Sequence, residues 1–339
     1  MRTPVHLLGL ILVAASGLGA AEPPAPVHLD DIHLMVSDEG ATVAFLEDKF
    51  AACEMAHPDR PIDYVRYLSL RYGSPTLTVT GPTPADEPDI LRAGTTGHVN
   101  IVPAARTGPA RWGVYWVALS TVSIAQALAG IEAGDHDAGQ MRVVLPQEPD
   151  VPAVTFFGPD NIRFALVERP DDHGSPLGVD HLLLLVSDAG LTAEFFRKLM
   201  QARVLRQEAA MAVLEVADAR LILAEPEKLG LERSSVQPPA EIPWAKSAGG
   251  QLSRVTVPAS VEHLGFLFAP GSLDALVTAA RAQGYEPEYA PFRYVYRGRP
   301  TVFTVTEFKT VDGFGIEAVT ADGRIGPHAY YRNPCSAQD

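Results

Sequence analysis

The sequence has few basic residues and very few thiols. Lys and Arg number 27 against 41 Asp and Glu, a formal net charge of −14 over 339 residues. Such an excess of negative charge repels nucleic acid and anionic membrane surfaces, and the cations present are scattered instead of forming a stripe. Small molecules are the expected partners, with a homodimer left open. Cysteine occurs twice, at Cys53 and Cys335, which argues against a Cys-ligated structural zinc site. In an oxidising compartment the two thiols could close one bridge between the first domain and the C-terminal tail; otherwise both stay free. No long low-complexity tract interrupts the chain. Apolar residues make up 47% and charged residues 20%, which predicts a globular protein long enough for two domains.

The first 21 residues stand apart. Arg2 supplies a positive start, residues 7–13 a short apolar run, and Leu18-Gly-Ala-Ala21 a small-residue cleavage site. The apolar run is too short to span a bilayer, so residues 1–21 read as a cleavable signal peptide. A periplasmic or secreted protein is expected, with no membrane partner once processed. Losing Arg2 with this leader takes the net charge one unit lower.

Beyond the leader a pattern repeats. Residues 29–36 read as strand, 41–53 as an amphipathic helix, and 64–70 and 76–80 as strands. After a Pro/Gly/Asp-rich connection, 114–119 reads as strand and 123–133 as helix, followed by strands at 141–145, 153–157 and 162–167. Residues 170–177 lie in the best linker in the chain, a Pro/Gly/Asp-rich stretch. The order then recurs from 182 and again from 263, with a long connection at 225–260 between. Four β-α-β-β-β units result, and neighbouring units are expected to pair, two on each side of the linker.

Val179-Asp-His-Leu182 returns as Val261-Glu-His-Leu264, and Val-Ser-Asp occurs at both 36–38 and 186–188. Aligned on these landmarks, His181 falls opposite Asp31, His263 opposite Val114, and Glu317 opposite Ala165. The second half thus has His181, His263 and Glu317 where the first has Asp31, Val114 and Ala165. Two imidazoles and one carboxylate can hold a divalent metal facially, with positions left open. His33, two residues past Asp31 on the same strand face, is the weaker candidate of the paired strands.

These four units, the Val-Asp-His-Leu and Val-Glu-His-Leu strand openings and the Asp312-Gly-Phe-Gly-Ile-Glu-Ala-Val319 ending resemble the vicinal oxygen chelate superfamily. That group includes glyoxalase I, the bleomycin and fosfomycin resistance proteins and the extradiol dioxygenases. The resemblance implies an α+β fold: four βαβββ modules paired into two glyoxalase-like domains, with mixed curved sheets and helices outside. Residues 27–169 would form an N-terminal domain without metal, 178–320 a C-terminal domain with it, and 321–339 a tail. In the two-domain dioxygenases the metal sits in the C-terminal domain alone, and His181, His263 and Glu317 match its ligands. The resemblance further implies Fe2+ for a dioxygenase and Zn2+, Mn2+ or Ni2+ otherwise.

Around this set, Glu307 alternates with Phe303 and Val305 and is a candidate general acid or base. Tyr294, Tyr296 and Arg297 are candidates to receive substrate. Trp244 and Lys246 lie in the long connection, which reads as a lid or a strap. The leading expectation is an exported, metal-dependent, dioxygenase-like enzyme acting on a small oxygenated molecule. A metal-free sequestration protein is the alternative. A glyoxalase-type lyase or isomerase is weaker, because 221–224 in the third unit offers no fourth ligand.

Overall fold

The computed structural model describes residues 22–55, 65–70, 75–82, 99–104, 109–132, 141–169, 178–239, 253–296 and 299–321. The order strand, helix, three strands occurs four times. The first unit comprises β1 (Pro26–Met35), α1 (Glu39–Phe50), β2 (Cys53–Met55), β3 (Val65–Ser69) and β4 (Thr76–Thr80). A connecting strand, β5 (Val99–Ala104), precedes the second unit: β6 (Gly113–Thr121), α2 (Ile124–Glu132), β7 (Met141–Leu145), β8 (Glu148–Phe157) and β9 (Arg163–Glu168). The third has β10 (Gly178–Leu185), α3 (Ala189–Met200), β11 (Arg203–Glu208), β12 (Met211–Val216) and β13 (Ala219–Ala224). After β14 (Ser253–Pro258), the fourth has β15 (Ser260–Phe268), α4 (Leu273–Ala282), β16 (Phe292–Tyr296), β17 (Arg299–Lys309) and β18 (Gly315–Ala321).

Two mixed eight-stranded sheets hold these units, in the orders β16-β17-β18-β15-β1-β4-β3-β2 and β11-β12-β13-β10-β6-β9-β8-β7. The first unit therefore shares a sheet with the fourth, and the second with the third. This corrects the expectation that units on the same side of the linker pair: neither 27–169 nor 178–320 is a single-sheet body. Connection length supplies the physical reason. The short stretch 169–177 joins β9 to β10, and β10 lies antiparallel beside β6. The longer connections 81–112 and 225–259 carry the chain from one sheet to the other, tied by the parallel pair β5–β14.

Both Val-Ser-Asp stretches end a strand and cap a helix. Asp38 accepts from Ala41 N at 2.9 Å and Asp188 from Leu191 N at 2.8 Å, satisfying donors that α1 and α3 leave unpaired. The preceding serines lock the sheets together. Ser37 donates through N and Oγ to Asp160 at 2.6 and 2.5 Å, and Ser187 N donates to Asp312 at 3.0 Å.

Strand alternation divides each sheet into two faces. Ile32, Leu34, Leu182, Leu184, Leu264, Phe266, Ile316 and Ala318 join the helices in one large apolar core. Phe45 and Phe50 of α1 meet Phe164 of the other sheet with ring centroids 6.3 and 5.7 Å apart. On the opposite face the sheets differ. The sheet of units two and three is filled there by Trp116, Ala118, Ala165, Leu183, Leu185 and Ile222. In the sheet of units one and four, the corresponding face carries titratable side chains.

Candidate metal centre

Register places these side chains. In β1 and β15, Asp31 lies opposite Gly265 and His33 opposite His263. Gly265 in turn neighbours Glu317, and His263 neighbours Gly315. Across β17–β18, Glu307 faces Glu317. On the other flank, β4 brings Thr76 and Thr78 beside Asp31 and His33. Five adjacent strands thus line up Thr78, Asp31, His33, His263, Glu317 and Glu307 on one face.

His263 Nε2 is the focus. Glu317 Oε2 lies 3.0 Å away, His33 Nδ1 3.3 Å and Asp31 Oδ2 3.9 Å. The two imidazoles meet edge to face, 4.5 Å between centroids. Asp31, His33 and His263 each offer a ligand atom, all within 4.8 Å of one another. His33 Nε2 pairs with Thr80 Oγ1 at 2.7 Å, and Thr78 hydrogen-bonds Asp31. His263 Nδ1 lies 2.5 Å from Glu262 Oε2, and Glu307 pairs with Lys309.

Two glycines make room for the cluster. A Cβ at Gly265 would stand 1.8 Å from Asp31 Oδ1, and one at Gly315 would stand 2.6 Å from Glu307 Oε1. No other residue leaves that space at either position. A small cleft walled by Arg111, Trp112, Val114, Pro239, Ser260 and Val261 reaches Glu262.

Burying Asp31, Glu262, Glu307 and Glu317 together is expensive unless positive charge compensates. Burial raises the Asp31 carboxyl to about 6, with His263 opposing and Glu317 adding to the rise. Burial and the charge of His263 lower His33 to about 4, leaving it neutral. Burial works against a charged His263, but Glu262 and Glu317 hold it well above the ordinary 6.5. Glu262 stays ionised, at about 2, because His263 outweighs the cost of its burial. Burial also raises Glu307, against the pull of Lys309. Imidazole and carboxylate donors gathered beside further buried acid fit a divalent cation, which would replace the proton that His263 carries.

His263 and Glu317 are therefore brought together as expected, and Glu307 stands beside them. His181 is not. It lies in the other sheet, where its Nε2 accepts from Trp116 Nε1 at 3.2 Å and its Nδ1 lies 2.6 Å from Asp180. The predicted ligand set His181, His263 and Glu317 is corrected accordingly, because it assumed that units three and four share a sheet. The sheet registers also revise the alignment. Asp31 does match His181, and Glu317 does match Ala165. His263, however, matches Trp116 and not Val114, and His33 matches Leu183. The second sheet thus retains one imidazole where the first gathers four ligand-type groups. Tyr294 and Tyr296 lie on β16 at the edge of the site's sheet; Arg297, Trp244 and Lys246 fall outside the described residues.

Sequence reasoning ranked His33 below His181, placed Asp31 in a metal-free domain and missed Glu262. One signal was available: an acid immediately precedes the histidine in both Val-Asp-His-Leu and Val-Glu-His-Leu.

Residues 178–318 match the family model of the Glyoxalase/Bleomycin resistance protein/Dioxygenase superfamily. A search of curated protein sequences finds no match. Among solved structures, glyoxalase I from Zea mays is similar at 15% identity, covering 87% of this chain and 92% of that one, with a TM-score of 0.55. A Bacillus subtilis protein described as a candidate dioxygenase is similar at 13% identity, over 89% and 87% of the chains, with a TM-score of 0.56. Such identities speak for the fold alone. Residues 178–318 thus carry the match to the vicinal oxygen chelate superfamily, and a two-sheet α+β fold similar to those structures extends over the first half as well.

Proposed function

We propose that this chain is a metal-dependent enzyme that moves protons on a small substrate bearing adjacent oxygens. Asp31, His33, His263 and Glu317 would hold the metal. The observation that carries this reading is their convergence, from units one and four, around His263 Nε2. Two imidazoles and two carboxylates suit Zn2+, Mn2+, Ni2+ or Fe2+, with His263 giving up its Nε2 proton to the incoming cation, and the carboxylates balance a dication. The metal would supply Lewis-acid polarisation of the substrate oxygens.

The chain's own residues account for the rest. Thr80 and Thr78 orient His33 and Asp31 from β4. Glu307 is 4% exposed, has a raised pKa and is held by Lys309, which suits it to take a proton from the substrate and return it. This arrangement favours the lyase or isomerase reading over the dioxygenase reading. The objection to the former was a missing fourth ligand in unit three, and unit one supplies it.

Elemental analysis after loading with zinc or manganese tests the site. About one equivalent is expected, lost in His263→Ala and in Glu317→Gln; uptake below ~0.1 equivalents sinks the reading. Oxygen consumption with catechols would instead favour the dioxygenase. Small-molecule binding that survives both substitutions would favour sequestration. We place the mature chain in the periplasm or outside the cell. The pattern of residues 1–21 supports this, as does Cys53, which is disulfide-bonded; Cys335, the other cysteine of the chain, lies outside the described residues. A mature protein whose N-terminus begins near Glu22 is expected in the exported fraction.

A further inference from the structure

One residue beside the cluster has no place in the ligand set. The β1–β15 register pairs His33 with His263 and Leu34 with Val261, so Glu262 is skipped. An unpaired residue of this kind bends the strand and breaks alternation, allowing consecutive side chains to share a face. Glu262 and His263 do so: Glu262 Oε2 lies 2.5 Å from His263 Nδ1 and 3.4 Å from His33 Nδ1.

The same irregularity occurs in the other sheet. There Val179 pairs with Leu119 and His181 with Ala118, so Asp180 is skipped, and Asp180 Oδ1 lies 2.6 Å from His181 Nδ1. This second copy reveals the tautomer. An indole N–H can only donate, so His181 Nε2, 3.2 Å from Trp116 Nε1, must be the acceptor. The ring proton of His181 therefore sits on Nδ1, where Asp180 accepts it.

We propose that Glu262 is a positioning residue. It holds the ring proton of His263 on Nδ1 and so turns the Nε2 lone pair toward Asp31, His33 and Glu317. A carboxylate that fixes the tautomer and orientation of a ligand histidine raises metal affinity without touching the metal. One backbone device thus serves both sheets. In one it aims an imidazole nitrogen at a cluster of ligands; in the other it aims the nitrogen at an indole N–H. The inference rests on the metal reading above, and its test is separable from that reading.

The experiment is zinc titration with two-bond proton–nitrogen correlation spectra of chain labelled with 15N-histidine. In the zinc-loaded wild type, His263 should be bound through Nε2 and protonated at Nδ1. Glu262→Ala should weaken zinc binding by about 10–100-fold, and Glu262→Gln, whose amide oxygen can still accept, should recover part of that loss. Asp180→Ala should alter the His181 signals and leave zinc affinity unchanged. The proposal is overturned if Glu262→Ala binds zinc as tightly as wild type with the Nδ1 proton retained. Should the wild type take up no zinc, the metal reading fails, and metal-free spectra at alkaline pH decide the tautomer question. Nδ1–H in the wild type and Nε2–H in Glu262→Ala would support Glu262; identical tautomers would reject it. If Glu262→Ala does not fold, by far-ultraviolet circular dichroism, the same comparison is made with Glu262→Gln, where unchanged affinity overturns the proposal.

Discussion

The indole of Trp116 donates to Nε2 of His181 across β6 and β10, at 3.2 Å. In the sister sheet the register position of Trp116 belongs to His263, whose Nε2 faces Glu317, His33 and Asp31. One imidazole is thus committed to a structural hydrogen bond and the other to a ligand cluster.

The two histidines should separate cleanly on substitution. His181→Ala is expected to leave metal content unchanged and to cost about 2–4 kcal/mol of stability, because Trp116 Nε1 and Asp180 lose a buried partner. His263→Ala is expected to abolish metal uptake. Urea unfolding and elemental analysis of both variants check this; loss of metal in His181→Ala would contradict it.

Gly265 makes a steric prediction. A methyl group there would collide with Asp31 Oδ1, so Gly265→Ala should displace Asp31 and weaken metal binding by at least about tenfold, roughly 1.4 kcal/mol. Ala118, at the equivalent position of the other sheet, already carries that methyl group. Isothermal titration of the folded variant with zinc reads the effect, and wild-type affinity would count against Asp31 as a ligand.

Asp160 and Asp312 should differ in importance. Asp160 accepts from both N and Oγ of Ser37, whereas Asp312 accepts from Ser187 N. Asp160→Ala should therefore cost more than Asp312→Ala, with both in the range of about 1–3 kcal/mol. Chemical denaturation of the two variants gives the order.

The Asp180 carboxylate makes stability depend on pH. Burial raises its pKa, but hydrogen bonds from His181 and Arg169 outweigh this and hold it well below the ordinary 3.8. Arg169 also meets Glu148, which pairs in turn with Arg220. A depressed folded-state pKa gives stability that is fully present above the unfolded value and is lost as pH falls through the folded one. The stability gap between wild type and Asp180→Asn should be constant from about pH 5 upward and shrink below about pH 4. Urea midpoints measured across that interval check the sign; a gap that widens on acidification would refute it.

Much of the local structure is legible in the chain. Val-Ser-Asp marks a strand end and a helix cap because Asp38 and Asp188 can satisfy amides that a helix leaves free. The run 182–185 reads as a buried strand, and it is one. The correspondences of Asp31 with His181 and of Ala165 with Glu317 also survive. The match of Val114 with His263 does not, because four residues join β15 to α4 where two join β6 to α2, so aligning on the helix starts displaces the strands by two. Such a difference in connection length leaves no trace in an apolar-polar pattern.

The sequence by itself therefore determined the four units, their internal order, the helix caps and the identity of His263 and Glu317 as ligand-type residues. It did so because capping, alternation and burial are settled within a few residues of chain. Only the tertiary structure decided which units share a sheet. The opening strands of all the units present similar apolar faces and similar backbone edges, so local preference cannot choose among them; connection length and the packing of whole sheets do. That choice brought His33 and Asp31 of the first unit to His263 of the fourth, and left His181 to Trp116.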